Sequence, residues 1–224
     1  MKIIITESQY KKLFKEEKEE KVLRIPSLKF FRNDWDLLQK FLKSKGDPPY
    51  SIGDDLFLEG TDIESLGNLQ SVRGNLDLSH TDIESLGNLK SVGGFLDLEG
   101  TPIKSLGNLT SVENSLDLKN TPIESLGNLQ SVGGYLDLED TPIESLGNLQ
   151  SVGGSLILKD TPIESLGNLQ SVGGHLELFR TPIESLGNLT SVGGDLDLEG
   201  TPISKMYTEK QIHEMVDVGG VIFI

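Results

Sequence analysis

A unit of twenty residues that carries six apolar positions repeats over most of the chain. In one copy these positions are Leu136, Leu138, Ile143, Leu146, Leu149 and Val152. Further copies begin at Leu56, Leu76, Leu96, Leu116, Leu156, Leu176 and Leu196. Because a unit this short cannot bury its apolar side chains alone, each copy must stack on its neighbours. The pattern therefore predicts a solenoid in which each repeat forms one coil.

The Leu-x-Leu segment that opens each repeat predicts a short strand. Its leucines point inward and its middle residue points outward, since successive side chains of a strand alternate. Stacked coils would place these strands about 4.8 Å apart in a parallel sheet. Residues 52–58 and 218–224 have the same form as the repeat around its strand. We therefore expect the array to occupy residues 52–224 and to contain about nine strands.

Segments on both sides of the repeats have the signatures of helices that cap the array. In the leader, Thr6 and Gln9 match a capping box, and the apolar spacing predicts a second helix over 34–44. After the last repeat, Thr208 and Gln211 form another capping box that predicts a further helix. The expected division is an N-terminal helical cap at 1–51, a solenoid at 52–203 and a C-terminal cap of one helix and a final strand at 204–224.

The spacing resembles that of the leucine-rich repeat family. With one extra residue before the strand, the family pattern L-x-x-L-x-L-x-x-N-x-L maps onto Leu149, Val152, Leu156, Leu158, Thr161 and Ile163. The family's asparagine is a threonine in every copy, and its hydroxyl is expected to bond a turn backbone group more weakly than an amide would. The resemblance implies an α/β repeat solenoid dominated by β structure, with a parallel sheet. The opening residues M-K-I-I-I-T-E-S-Q also resemble the leaders of phage-encoded proteins.

Residues twenty positions apart occupy the same position in successive repeats, and each such set is here called a column. Some columns are nearly constant along the chain, and others vary. The threonine, asparagine, serine, proline and glycine columns hardly vary, and we expect them to satisfy or shape backbone turns. Two outward columns vary: the middle position of the strand and the position just before it. These two columns are where function is expected.

The middle strand position forms an acidic strip. Its members are Asp77, Asp97, Asp117, Asp137, Glu177 and Asp197. Like charges about 4.8 Å apart repel, so the pKa values of these carboxyl groups are expected to be raised. A divalent cation, a basic partner or the neighbouring Lys119 and Lys159 would relieve the repulsion. Since the pattern matches no calcium-binding repeat, we expect no metal site and no cofactor.

Aromatic, apolar and basic residues interrupt this acidic surface and form a candidate partner-binding patch. Its members are Phe95, Tyr135, Ile157, His175, Phe179 and Arg180. Aromatic and arginine side chains are the usual anchors of protein interfaces, and exposed apolar patches often mark partner sites. For the column before the strand, where large and small residues alternate, a second explanation is open: the alternation would avoid crowding between adjacent coils.

Charge and composition narrow the classes of function. The net charge is −15, and residues 1–50 are net positive, so the acidic excess belongs to the repeats. Such a surface disfavours nucleic acid and favours basic protein partners. There is no cysteine and no apolar run long enough to span a membrane. The histidines, His80, His175 and His213, are far apart in the array, and we expect no enzymatic activity.

The leading hypothesis is a protein-interaction or structural module that recognises a protein through the outward face of its strands. The alternative is an acidic nucleic-acid mimic that occupies the site of a DNA-binding protein. The expected location is the cytoplasm, or the virion if the chain is phage-encoded.

Overall fold

The computed structural model describes residues 22–224. The helix predicted from the capping box of Thr6 and Gln9 lies outside these residues. The helices are a 3-10 helix at Leu28–Phe31, α1 at Trp35–Ser44, α2 at Ile203–Met206 and α3 at Glu209–Met215. The strands are β1 Leu23–Ile25, β2 Tyr50–Ile52, β3 Leu56–Phe57, β4 Leu69–Val72, β5 Leu76–Asp77, β6 Ser91–Val92, β7 Leu96–Asp97, β8 Ser111–Val112, β9 Leu116–Asp117, β10 Ser131–Val132, β11 Leu136–Asp137, β12 Ser151–Val152, β13 Leu156–Ile157, β14 Ser171–Val172, β15 Leu176–Glu177, β16 Ser191–Val192, β17 Leu196–Asp197, β18 Asp217–Val218 and β19 Ile222–Phe223.

The Leu-x-Leu segments form a nine-stranded parallel sheet, as predicted. Its order runs from β3 to β19 through every odd-numbered strand between them. Equivalent positions face each other in neighbouring coils, so that Leu136 pairs with Leu156. The last strand, β19, pairs with β17 and completes the sheet, which confirms the ninth strand expected from the sequence.

The second sheet, which has ten parallel strands, is not predicted by the apolar pattern. Most of its strands are Ser-Val segments such as β10, in which the serine is half-buried and the valine is buried. Strands β1 and β2 extend this sheet at its N-terminal end, so the stacking begins before residue 52, where the array was expected to start. A two-residue segment with one apolar member has no alternation to detect, which is why the sequence pattern missed it.

One continuous apolar core is built from the inward side chains of the two sheets and the turns between them. In the coil that begins at Leu136, all six apolar positions are at most 1% exposed. Burying a leucine or valine side chain contributes roughly 1.5–3 kcal/mol. Since each coil shares its core with the coils on either side, this stabilisation depends on stacking.

The threonine column lies in the turn that follows each leucine strand. The Oγ1 hydroxyl of Thr141 donates a hydrogen bond of 2.8 Å to the carbonyl oxygen of Leu138, and the side chain is buried. The same bond recurs in every coil from Thr61 to Thr201. The predicted role of the threonine hydroxyl, to satisfy a backbone group of the turn, is confirmed.

The glycine pairs are required where neighbouring coils approach closely. A Cβ atom on Gly153 would lie 2.2 Å from the carbonyl oxygen of Gly133, far inside any allowed contact. One coil has Glu113 and Asn114 in place of the pair. There the bond from the Asn114 amide to the coil before it lengthens to 3.3 Å, compared with 2.8 Å for the equivalent bond of Gly154.

Helix α1 covers the N-terminal end of the core and confirms the helix predicted over 34–44. The side chain of Asp34 caps it by accepting a hydrogen bond from the Leu37 amide, and Trp35, Leu38 and Leu42 are buried. Apolar side chains at this spacing share one face of a helix, which here packs against the core.

Helix α3 occupies the last coil, as predicted. It begins with the capping box of Thr208 and Gln211, in which each side chain bonds the backbone of the other. Its Ile212 is fully buried and continues the core. Within residues 22–224, no helix is long and apolar enough to cross a membrane.

Candidate partner-binding face

The outward surface of the nine-stranded sheet, here called the strand face, carries three side chains from each coil. In the coil of β11 they are Tyr135, Asp137 and Glu139, since the alternating Leu136 and Leu138 point into the core. Three parallel columns of such residues run along the solenoid. Both variable columns singled out in the sequence lie on this face.

The aspartates of the middle column hold the turn that follows the strand. The Oδ1 atom of Asp137 accepts a hydrogen bond of 2.9 Å from the amide of Glu139. The same contact, with lengths of 2.9 to 3.1 Å, is made by Asp77, Asp97, Asp117 and Asp197. This role was not predicted from the sequence, although aspartate side chains commonly accept a hydrogen bond from the backbone amide two residues later, in an Asx turn.

Three of these carboxyl groups are less acidic than an ordinary aspartate. Burial is the largest cause that raises the pKa of Asp97, Asp117 and Asp137, and neighbouring carboxylates raise it further. The backbone hydrogen bond to each carboxylate opposes the rise. The predicted direction is therefore confirmed for these three, but desolvation outweighs the like-charge repulsion that was expected to cause it.

Lysines relieve part of the repulsion, as anticipated. Lys119 forms an ion pair with Glu139 of the next coil, and Lys159 does the same with Glu177. The charge of Lys119 also lowers the pKa of Asp137. The strand face thus remains acidic, and each of its two lysines is already paired with a glutamate of the next coil.

Small polar residues in the column before the strand accept hydrogen bonds from the next coil. The side chain of Asn75 accepts from the amide of Phe95 at 3.0 Å, and Ser115 Oγ accepts from the amide of Tyr135 at 3.3 Å. Ser155 Oγ accepts from the amide of His175 at 3.1 Å. The alternation of small and large residues therefore has a structural reason beyond the avoidance of crowding.

In this column, the rings of Phe95 and Tyr135 extend over the preceding coils. The ring of Phe95 lies against the ring of Phe57, two coils earlier, with centroids 6.4 Å apart. Burial raises the pKa of Tyr135, and the charges of Asp117 and Asp97, in the two preceding coils, raise it further. Tyr135 nevertheless stays 43% exposed. The Tyr135 ring is thus placed over the acidic strip and stays partly open to solvent, while the half-buried Phe95 ring lies against Phe57.

The remaining patch residues lie in the next two coils. Ile157 is half-buried and sits in register between Asp137 and Glu177, where it interrupts the acidic strip. Phe179 carries the guanidinium group of Arg180 over its ring, 4.6 Å from the centroid. The predicted patch is thus divided. Phe95 lies against Phe57 and Tyr135 lies over the aspartates, whereas Ile157, His175, Phe179 and Arg180 lie in the two coils that follow.

His175 links its coil to the next one. Its Nδ1 atom accepts a hydrogen bond of 3.0 Å from the amide of Asp195, and the Asp195 carboxylate lies 3.2 Å from the same atom. Nδ1 cannot both accept the amide proton and donate to the carboxylate. In the neutral ring the backbone bond holds, so the ring proton is on Nε2 and points away from that bond.

Two of the concave surfaces formed by residues 22–224 lie away from the strand face. One is a shallow groove of about 540 Å³ along the ten-stranded sheet, lined by serine and glycine columns. The other, of about 580 Å³, lies between α1 and the first coil, where Trp35 and Gln39 face Asp62 and Glu64. Among residues 22–224, no group of three or more histidine or acidic side chains is arranged to hold a metal ion.

Comparisons with known protein families, with curated proteins and with solved structures find no match for this chain.

Proposed function

We propose that this protein is a non-enzymatic interaction module that recognises a protein partner through its strand face. The observation that carries the proposal is the placement of exposed aromatic rings on an acidic field. Phe57 and Tyr135 are 57% and 43% exposed, whereas the leucines of the same strands are buried. Aromatic anchors surrounded by charge are typical of binding surfaces.

The rigidity of the scaffold supports this function. Backbone hydrogen bonds join each coil to the next along both sheets, for example from Leu136 to Ser155 and from Gly154 to Gly134. Side chains on such a face are held in place before a partner arrives, so binding costs little ordering. The acidic excess would attract a basic partner and speed the encounter.

A relationship to the leucine-rich repeat family is also part of the proposal. It is supported by the Leu-x-Leu strands in a parallel sheet and by the buried threonine at the family's asparagine position. The resemblance of the first residues to phage leaders supports a role as a viral recognition or structural protein, with the virion as its location in that case.

Capture of the partner by immobilised protein tests the proposed function. The strand-face variant combines Tyr135→Ser, Ile157→Asp and Phe179→Glu, each of which installs a residue already present in the same column. These changes make the face more acidic, so a loss of capture would reflect the lost aromatic and apolar side chains and not a loss of negative charge. The matched control, Gln130→Thr with Gln150→Thr, lies on the ten-stranded side and also copies residues of its own column.

We expect the control to retain the specific partner and the strand-face variant to lose it. Equal capture by both variants would refute the proposal. Capture of many basic proteins, all released by moderate salt, would instead support the alternative of a nucleic-acid mimic, because long-range charge attraction is screened by salt.

A further inference from the structure

We infer that two copies of this protein pair through the outer edge of β19, the last strand of the nine-stranded sheet, in an antiparallel dimer with a twofold axis at Phe223. The sheet would then run without a break from one copy into the other. Such a dimer goes beyond the proposed function, because Tyr135 lies four coils from β19 and stays open to another partner.

Exposed apolar side chains of the described chain collect at this end of the solenoid. Of the nine large ones among residues 22–224, six lie between 206 and 224: Met206, Tyr207, Met215, Val221, Phe223 and Ile224. Ile224 has the inward third position of its strand, which is at most 4% exposed in every earlier coil from Leu58 to Leu198, yet it is 50% exposed. Within the described chain, nothing covers Ile224 as the next coil covers each of its equivalents.

The backbone of β19 offers hydrogen-bonding groups to a further strand. In each coil the first and third residues of the leucine strand donate their amide hydrogens to the next coil, as Leu196 and Leu198 do. Ile222 and Ile224 are the equivalent residues of β19, which pairs only with β17 within residues 22–224. Their N–H and C=O groups therefore face an open sheet edge, the kind of surface that pairs with another strand.

This edge is complementary to itself. Rotation by 180° about an axis through Phe223 places Ile222 of one copy opposite Ile224 of the other, where the two residues can exchange both N–H···O bonds of an antiparallel pair. The inward isoleucine side chains of the two copies then meet and cover the exposed Ile224. A twofold dimer closes on itself and leaves no further edge of this kind.

The outward side chains of β19 also permit self-pairing. Phe223 would lie directly opposite its own copy, at the closest kind of cross-strand pair, where two aromatic rings stabilise and two like charges destabilise. The same column holds an aspartate or glutamate in six of the other eight coils. Phe223 and the neighbouring Val221 thus remove from this edge the charge that would keep two copies apart.

A second copy fits this short edge better than a flexible peptide does. Only Ile222 and Ile224 turn backbone groups towards the edge, so a pairing gains few hydrogen bonds. A peptide would lose conformational entropy to gain them, whereas the second β19 is already held in its extended form by β17.

The other end of the solenoid does not offer the same edge. In the coil before β3, the 3-10 helix at Leu28–Phe31 takes the place of a leucine strand, since it follows β1 as β3 follows β2. Its Lys29 contacts Asp54, two residues before β3, at 3.3 Å. This helix stands where β19 of another copy would have to bind, which favours the twofold dimer over head-to-tail stacking.

Analytical ultracentrifugation of the whole protein tests for the dimer. We expect a reversible dimer of twice the 24.5 kDa of one chain, without larger species, over about 1–100 µM at physiological salt. Since each copy carries a net charge of −15, added salt should strengthen the association. A monomer throughout this range would overturn the inference, as would oligomers beyond the dimer, which indicate head-to-tail stacking.

Matched substitutions locate the interface. Phe223→Asp places a carboxylate at the twofold axis and should weaken dimerisation at least about tenfold, because the ring is lost and two like charges meet. Phe57→Asp makes the same change in the same column at the other end and should leave the dimer unchanged. Equal effects of the two substitutions would overturn the inference.

Cross-linking tests the antiparallel register. The chain has no cysteine, so Phe223→Cys introduces a single thiol. Directly opposite residues of such a pair have Cα atoms about 4.5 Å apart, within the span of a disulfide, and mild oxidation should give a covalent dimer. Asp197→Cys, one coil earlier in the same column, would leave the two thiols about 14 Å apart and should not cross-link. Failure of Phe223→Cys to cross-link, or equal cross-linking of both variants, would overturn the inference.

Discussion

The ring of Phe95 reaches back over one entire coil to contact the ring of Phe57, with centroids 6.4 Å apart. The small side chain of Asn75 lies between them in sequence and accepts the amide hydrogen of Phe95. Large and small residues in this column therefore act together: the small residue bonds the backbone of the next coil, and the ring covers it. The exposed aromatic surface is a product of this arrangement.

The buried threonine hydroxyls should each contribute measurably to stability. Thr141→Val removes the hydrogen bond of 2.8 Å to the Leu138 carbonyl and leaves that oxygen with only the longer bond from the Thr141 amide, at 3.3 Å. We expect a loss of about 1 kcal/mol in the free energy of unfolding, measured by urea denaturation.

Thr61→Val is the matched control for this prediction. Thr61 makes the same bond to Leu58, at 2.6 Å, but lies exposed in the first coil, where water can replace the hydroxyl. The loss in the free energy of unfolding should therefore be smaller for Thr61→Val than for Thr141→Val. Equal losses at Thr61 and Thr141 would show that burial does not determine the effect.

The glycine pairs should tolerate no side chain where two of them stack. Gly153→Ala would place its Cβ atom 2.2 Å from the Gly133 carbonyl oxygen, so the coils must separate. We expect a destabilisation of about 1–3 kcal/mol in urea denaturation. Glu113→Ala, in the same column but already carrying a Cβ atom, should change stability by less than about 0.5 kcal/mol. A mild effect at Gly153 would mean that the coils are less tightly stacked than described.

Replacing Asp117 by asparagine should stabilise the protein near neutral pH. Burial and neighbouring carboxylates raise the pKa of Asp117 in the folded protein above its value in the unfolded chain. Between these two pKa values the folded protein binds more protons, so this group's contribution to stability falls as the pH rises through that window. Asparagine keeps an oxygen that can accept the Lys119 amide hydrogen, but it carries no charge.

The urea midpoint of Asp117→Asn should therefore exceed that of the wild type at neutral pH, and the two should converge below about pH 4, where the aspartate is protonated in both the folded and the unfolded chain. Asp140→Asn is the control. Asp140 has a left-handed backbone, φ 56°, at a position where the preceding coil already has Asn120. A lower midpoint for Asp117→Asn at neutral pH would contradict the prediction.

The phenol of Tyr135 should ionise above the usual range of tyrosine. Burial is the largest cause that raises its pKa, and the charge of Asp117 is the next. The ultraviolet difference between the wild type and Tyr135→Phe isolates this titration from those of the other tyrosines. Asp117→Asn should lower the midpoint, whereas Glu144→Gln, in a turn of the same repeat, should not. An unshifted midpoint would show that Tyr135 points away from the acidic strip.

The sequence predicts those strands in which buried apolar residues alternate with outward ones. Leu136 and Leu138 alternate around one outward residue, and this alternation predicts the nine-stranded sheet, down to its last strand at Ile222–Phe223. The pair Ser131–Val132 offers one apolar residue and no alternation, so the ten-stranded sheet escapes the same reasoning.

The sequence likewise predicts only part of the strand face. Its residues follow from the columns, because every second position of a strand faces outward. The hydrogen bond that the Glu139 amide donates to Asp137 does not follow from charge patterning, since its donor is a backbone group present at every position. Nor does the lean of Phe95 towards Phe57, which depends on side-chain torsions that neither the repeat nor the spacing specifies.

The most direct test of the central claim is carboxyl footprinting of the complex between this protein and its captured partner. Asp97, Asp117 and Asp137 should lose reactivity on binding, while Glu144 and Glu164, in turns away from the strand face, should keep theirs. Protection of the turn glutamates with unchanged labelling of the three aspartates would contradict the claim that the strand face is the recognition surface.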